Sequence, residues 1–254
     1  MLRAHRWRTV ENSAAYLIPH LGPDTTILDI GCGPGTITLD LARRVAPARV
    51  IGIDVAPAAI EAAEAERERQ GTANAEFRTA DLYALDIDDD TFAIVHAHQV
   101  LQHLADPVGA LREMRRVCRP GGIVAARDGD YEAMTWYPVE PALDAWLAMY
   151  ETVARANNGE PNAGRFLLAW AHAAGFTDVR PGASTWCYAT PEDRAWWGEL
   201  WADRITESAI AEQAVEIGAA TAEELREMAG AWRRWTTEPD GWFAVLHGEI
   251  LCRA

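Results

Sequence analysis

The chain has no cysteine pair at C-x-x-C spacing, no dense run of Lys and Arg, no apolar stretch long enough to cross a bilayer, and no signal-like apolar core at its start. Each absence excludes something. Cys32, Cys118, Cys187 and Cys252 are scattered, so they read as reduced thiols rather than as a zinc site or a disulfide framework. With 23 basic residues against 38 acidic ones the formal charge is −15. Phosphate backbones and anionic membranes attract the opposite sign. The expectation is a soluble, cytoplasmic protein that binds neither nucleic acid nor membrane. A homodimer stays open.

What is present centres on Ile27 to Asp54. The order is Ile27-Leu28-Asp29-Ile30, then Gly31-Cys32-Gly33-Pro34-Gly35, a helical run from Thr36, and Val50-Ile51-Gly52-Ile53-Asp54. Short runs rich in Ile and Val suit parallel strands buried on both faces. The glycines allow a sharp turn and the close approach of a ligand, because no Cβ intervenes. Asp54, at the tip of the second strand, is placed to accept hydrogen bonds from ribose hydroxyls. A dinucleotide fingerprint would read G-x-G-x-x-G and face a pyrophosphate. Here the pattern is G-x-G-x-G, preceded by Asp29, whose carboxylate repels a pyrophosphate and suits a cation or an ammonium group.

From about Thr25 to Arg127 the chain resembles the class I S-adenosylmethionine (SAM)-dependent methyltransferases of the small-molecule type, a group that includes ubiquinone- and menaquinone-biosynthesis enzymes and many of secondary metabolism. The resemblance rests on Asp29 with Gly31, Gly33 and Gly35, on Asp54, on Ala80-Asp81-Leu82 after the third strand, on the segment ending His103-Leu104, and on the run from Leu111 to Gly122. It implies an α/β, Rossmann-like fold: a seven-stranded sheet of order 3-2-1-4-5-7-6, strand 7 antiparallel, helices on both faces, and a helical cap. It implies SAM as cofactor and S-adenosylhomocysteine as product. Asp81 would accept from the adenine amine and Leu82 would pack on the ring. An N-terminal helix over about residues 3–21 would close over the site, with Tyr16 as a cofactor contact and Trp7 and Arg8 as substrate contacts; a helix that merely packs on the sheet is the alternative. The Asn/Asp-Pro-Pro-aromatic tetrad of nucleic-acid amino methyltransferases is absent.

The fourth strand, Phe92 to His98, carries His96 and His98 on one face by alternation. With His103 they invite a metal reading, but no acid stands at ligand spacing, and no metal is expected. His98 is read as a cofactor contact at the site mouth and Gln99 as a substrate contact. His103 is either a general base or a residue that orders the loop. The fifth strand is expected from Gly122 to about Arg127. Arg127-Asp128-Gly129-Asp130-Tyr131 then reads as an acceptor-binding loop at the carboxyl edge of the sheet, or as an ordinary polar loop. Arg127, Asp130 and Trp136 are substrate candidates there; Asp128 and Tyr131 are catalytic candidates.

The organisation expected is one methyltransferase domain over 1–254, with a lid to residue 22, a cofactor core over 23–130, and substrate-cap insertions over 131–175 and 191–236. Eleven tryptophans, concentrated in the cap, suit stacking on a flat acceptor, although packing also uses such rings. The function read from the sequence is methyl transfer to a small aromatic natural product, indole-, phenol- or quinol-like, with C-methylation of an indole-derived scaffold slightly favoured. O- or N-methylation of another small metabolite, and a regulatory protein that holds SAM without turnover, are the alternatives.

Overall fold

The computed structural model describes residues 7–254; residues 1–6, where the expected lid begins, lie outside the described part. Four parallel strands form one side of the sheet: β1 (Ile27–Ile30), β2 (Val50–Asp54), β3 (Ala75–Thr79) and β4 (Phe92–His98). With β5 (Cys118–Tyr137), β6 (Val179–Tyr188) and β7 (Trp242–Arg253), they make a seven-stranded sheet of order β3-β2-β1-β4-β5-β7-β6. The end of β7 meets the starts of β5 and β6. Gly121 N–H donates to Ala254 O, Ala254 N–H to Gly122 O, and Arg253 N–H to Asp178 O. β7 is therefore antiparallel, and both strand order and direction are those expected.

Alternation sorts the side chains of the parallel strands. Leu28, Ile30, Ile51, Ile53, Val95 and Val124 pack on one face. Ile27, Val50, Phe77, Ile94 and Ile123 pack on the other. On that second face the apolar register Ile27–Ile94–Ile123 gives way, two residues on, to Asp29 beside His96, and then to His98 beside Arg127. The polar site thus stands at the carboxyl ends of strands whose beginnings are core.

The helices are α1 (Val10–Ser13), α2 (Thr36–Val45), α3 (Pro57–Gln70), α4 (Pro107–Val117), α5 (Pro141–Ala156), α6 (Ala163–Ala173), α7 (Pro191–Glu207), α8 (Ala209–Glu216) and α9 (Ala222–Thr236). Their ends are written locally. Asp106 caps α4 by accepting from Gly109 N–H at 2.8 Å, and Ala110, Leu111, Met114 and Val117 form its buried stripe. Thr221 and Glu224 form a reciprocal capping box at α9. No helix among the described residues is long and apolar enough to cross a membrane.

Two expectations change. The single N-terminal helix does not form: α1 ends after four residues and a 3-10 turn, Ala15–His20, follows with Pro19 inside it. Proline has no N–H to bond back to Ala15, and its ring crowds that carbonyl in an α-helix. Second, β5 does not stop near Arg127. Arg127 to Tyr131 is strand rather than loop, and Arg127, Asp128, Asp130 and Tyr131 are all buried. Arg127 and Asp128 find partners far along the chain that local sequence cannot display, while Asp130 accepts locally from Ala133 N–H.

The chain divides into two compact units. One contains the chain through Asp128, together with Ala163–Ala183 and Gly248–Ala254. Within it, α6 lies so close on β7 that a Cβ at Gly248 would run into the Gly164 carbonyl oxygen. The other contains Gly129–Asn162 and Ser184–His247. Its interior is aromatic: the ring of Trp146 meets Trp201 and Trp232 edge-to-face at 4.5 and 4.9 Å, and all three are fully buried.

Candidate functional site

β1 ends in a turn in which Gly31, Gly33 and Gly35 all take positive φ, at 63°, 53° and 77°. At Gly31 a Cβ would also stand 2.5 Å from a Val100 methyl, so space and backbone both demand glycine. Gly33 N–H donates to Asp54 Oδ2 (3.0 Å), and Ala56 N–H donates to Oδ1 (2.9 Å). The carboxylate at the tip of β2 is therefore aimed, yet only half-buried, and each oxygen keeps acceptor capacity. After β3, exposed Asp81 accepts from Tyr83 N–H at 2.9 Å, while Leu82 is buried in the core. Arg8, Asp29, Gly31, Cys32, Thr36 and His98 line a narrow cleft beside the turn. Burial, with Asp29 and Asp54 adding to it, pushes the Cys32 thiol far up, so it stays protonated and is no nucleophile.

Beneath the turn lies a buried polar cluster. Asp29 Oδ1 meets His96 Nδ1 at 2.7 Å, and Thr38 Oγ1 donates to Oδ2. His96 thus has an acidic neighbour that sequence spacing did not supply; it comes across the register of two adjacent strands. Among the described residues, no group of three or more such side chains could hold a metal ion. Arg127 Nε pairs with Glu249 Oε1 of β7 at 3.2 Å. Fully buried Asp128 accepts the Gln102 N–H at 3.1 Å, and the Leu101 and Val100 N–H groups also turn towards it. Burial pushes its carboxyl up to about 7, against the pull of those N–H groups and of Arg127. Asp128 Oδ2 has no hydrogen-bond partner among the described residues.

The Tyr16 hydroxyl is also buried without a hydrogen-bond partner among the described residues. Burial foremost, then Glu249, holds it protonated; Asp128 and Asp29 add to this and Arg127 opposes it. Tyr16 is therefore a neutral donor beside the cluster. At the tip of β4, Gln99 sits at φ 53°, its N–H donates to Arg127 O at 2.7 Å, and its side chain accepts from Arg8 Nη2. A left-handed backbone at a non-glycine residue costs about 1–2 kcal/mol and is found disproportionately at functional sites.

The first unit thus gathers Arg8, Tyr16, Asp29, Gly31, His98, Gln99, Arg127 and Asp128 near the turn and the tips of β4 and β5. His103 is exposed on the 3-10 turn Leu101–His103, its Nε2 3.2 Å from Gln102 Nε2. Half-buried Trp7 accepts from Asn12 Nδ2 through its carbonyl, at 3.0 Å. Three candidates belong to the second unit. Asp130 accepts from Ala133 N–H at 3.2 Å, Tyr131 accepts from the Tyr150 hydroxyl at 3.2 Å, and Trp136 stacks on Phe243 at 5.6 Å. Sequence reasoning missed Thr38, Val100 and Glu249. Glu249 did leave a signal: it is the lone acid in the stretch Ala244 to Leu251, where His247 is the only other polar side chain, and a lone acid there needs a partner.

A family profile described as a methyltransferase domain matches residues 21–200. An uncharacterized methyltransferase of Schizosaccharomyces pombe is 36% identical over 97% of this chain and 91% of its own length. A probable methyltransferase of Aspergillus luteorubrus, ltbC, is 30% identical over 96% and 90%. Among solved structures, the YcgJ protein of Bacillus subtilis matches with a TM-score of 0.61 at 17% identity, covering 94% of this chain and 97% of its own. The [4+2]-cyclase SpnF matches with a TM-score of 0.57 at 21% identity, covering 92% and 79%. At those identities the solved structures speak to the fold alone.

Proposed function

The chain belongs to the methyltransferase-domain family, and on that premise we propose that it transfers a methyl group from SAM to a small aromatic acceptor. The observation that carries the reading is the donor and acceptor set around the glycine turn. Asp54 and Asp81, acceptor-only groups at the tips of β2 and β3, suit ribose hydroxyls and an exocyclic amine. A cleft walled by both Asp29 and Arg8 suits the ammonium and carboxylate of an amino acid. The same Asp29 works against a pyrophosphate.

When bound, SAM supplies a methyl carbon already activated by its positive sulfur. The task left to the protein is to hold two reactants in line and keep water away. Asp54 and Asp81 fix the nucleoside. Gln99, gripping Arg8, orients the cleft wall. Asp128 braces the segment Val100–Gln102 through its N–H groups. A phenol or alcohol acceptor also needs a base. Asp128 is suited to that by its titration near neutrality and by its unbonded Oδ2; exposed His103 and Tyr131, which is bonded to Tyr150, are the other candidates. An indole carbon can attack before losing its proton.

The aromatic acceptor is supported by the tryptophan content of the chain, eleven residues, since such rings stack on flat acceptors. C-methylation of an indole-derived scaffold is the favoured case. A second reading, retention of SAM without methyl transfer, draws on the kinship of fold with a [4+2]-cyclase, because fold does not fix chemistry.

The test is calorimetry followed by turnover. SAM should bind and NADH should not, and Asp54→Ala should weaken SAM by about 1–3 kcal/mol. Methyl-labelled SAM should then label one member of a panel of indoles, phenols and quinols. Failure of SAM to bind overturns the cofactor. Tight binding with no labelled product from any acceptor turns the reading to the second.

A further inference from the structure

A second, shallow cleft opens in the first unit at the edge of the sheet opposite the glycine turn. It is lined by His20 at the end of the 3-10 turn, by Arg180 at the start of β6, and by Leu251 and Arg253 at the end of β7. Ile123 also lines it, and Ile123 is in register with Ile94 and Ile27, whereas Gly31 follows the far end of β1. The lining is divided. Ile123 and Leu251 are apolar; His20, Arg180 and Arg253 are basic; Asp178 is the one acid among them.

This gathering of cations is unexpected in a chain of formal charge −15. Arg253 donates through Nη1 to Gly121 O at 3.0 Å, but neither Arg180 nor His20 has a hydrogen-bond or ion-pair partner among the described residues. Burial, then Arg253 and Arg180, hold the His20 imidazole below its ordinary range. Arg180, Arg253 and Asp178 are all exposed, so water screens the two arginines and Asp178 balances one of them. Two arginines and one aspartate leave a deficit of one negative charge, which favours a monoanion over a dianion.

We propose that this cleft binds a small amphiphilic carboxylate, its head on Arg180 and Arg253 and its short apolar tail on Ile123 and Leu251. The arginine fork matches a carboxylate, and the apolar lining gives a tail a place that an inorganic ion cannot use. This site is separate from the one proposed for methyl transfer, and its existence does not depend on that reading.

The experiment is a proton-NMR titration of the histidine Cε1–H signals of the full chain, with His20 assigned by its loss in His20→Gln. The probe is hexanoate, and inorganic phosphate is the control. Hexanoate should move the His20 signal saturably and make His20 titrate at higher pH. Arg180→Gln should weaken hexanoate by about threefold to tenfold, the range for losing one charged partner at a part-exposed site. Asp178→Asn should strengthen it. Unchanged circular dichroism in both variants shows that the fold is retained. A His20 signal indifferent to hexanoate, or equal affinity in wild type and Arg180→Gln, overturns the site. Phosphate binding as tightly as hexanoate overturns the amphiphilic ligand.

Discussion

The two units differ in what they add to an apolar interior. The first buries charge and pairs it across strands: Asp29 with His96 and Thr38, Arg127 with Glu249, Asp128 with backbone N–H groups. The second buries rings. Trp146, Trp197, Trp201 and Trp232 are inside, and none of their indole N–H groups has a hydrogen-bond partner among the described residues. Leaving a buried donor unmade costs about 1–3 kcal/mol. The edge-to-face contacts of Trp146 with Trp201 and Trp232 offset part of that, and the large apolar areas of the rings offset the rest. Polar burial is expensive and directional, so it appears where groups must be aimed. Aromatic burial is cheaper per contact and suits a unit that needs bulk.

The contrast can be broken in several ways. The largest effect should come from Trp146→Ala, a loss of about 3–5 kcal/mol. Hydrogen exchange should show the amides of α5, α7 and α9 losing protection while those of β1, β2 and β4 keep theirs. Equal loss in both would mean that the units do not differ in what holds them.

Next in size is Asp128→Asn. The folded carboxyl titrates at about 7, above its unfolded value. Its contribution to stability is therefore fully present below the unfolded value and is lost as pH rises through about 7. Asparagine should remove that slope, narrowing the drop between pH 4 and pH 8 by about 2–4 kcal/mol in urea unfolding. Turnover should fall with little change in SAM affinity. A slope identical to wild type would show that the buried acid is not under strain.

Gly31→Ala should cost about 1–2 kcal/mol from the left-handed backbone alone. The clash with Val100 adds to that, and SAM affinity should fall with stability. Thermal melts with and without SAM separate the two losses.

The smallest perturbation is chemical. Burial pushes Cys118 and Cys252 in the first unit up to about 12, and Cys32 further, while Cys187 in the second is exposed. A thiol reagent at neutral pH should label Cys187 first in the folded chain. Rapid labelling of Cys118 would mean that the polar unit opens more readily than its pairing suggests.

Much of the first unit was legible because its signals are local. The run from Ile27 to Asp54 states its own strands by apolar content and its turn by glycine. Asp81 is singled out through the resemblance to the methyltransferase family, not by any local signal of its own. The remainder depends on pairing between residues far apart. Arg127-Asp128-Gly129-Asp130-Tyr131 has the composition of a loop, and partners such as Glu249 for Arg127 and the N–H groups of Val100 to Gln102 for Asp128 let its charges go inside a strand. The His96 partner comes from register with β1, which no spacing along β4 encodes. Pro19 did carry the warning against one long first helix, and the apolar periodicity around Leu17 hid it.

The contact between Gly248 and Gly164 has a practical reach. Because the first turn of α6 rests against the bare backbone of β7, residue 248 admits no side chain unless the helix shifts, and a grafted or randomised library should leave that position alone. Gly71 and Gly218 are constrained differently: a Cβ at either would meet nothing within 4 Å, and it is the left-handed backbone, φ 67° and 70°, that asks for glycine there.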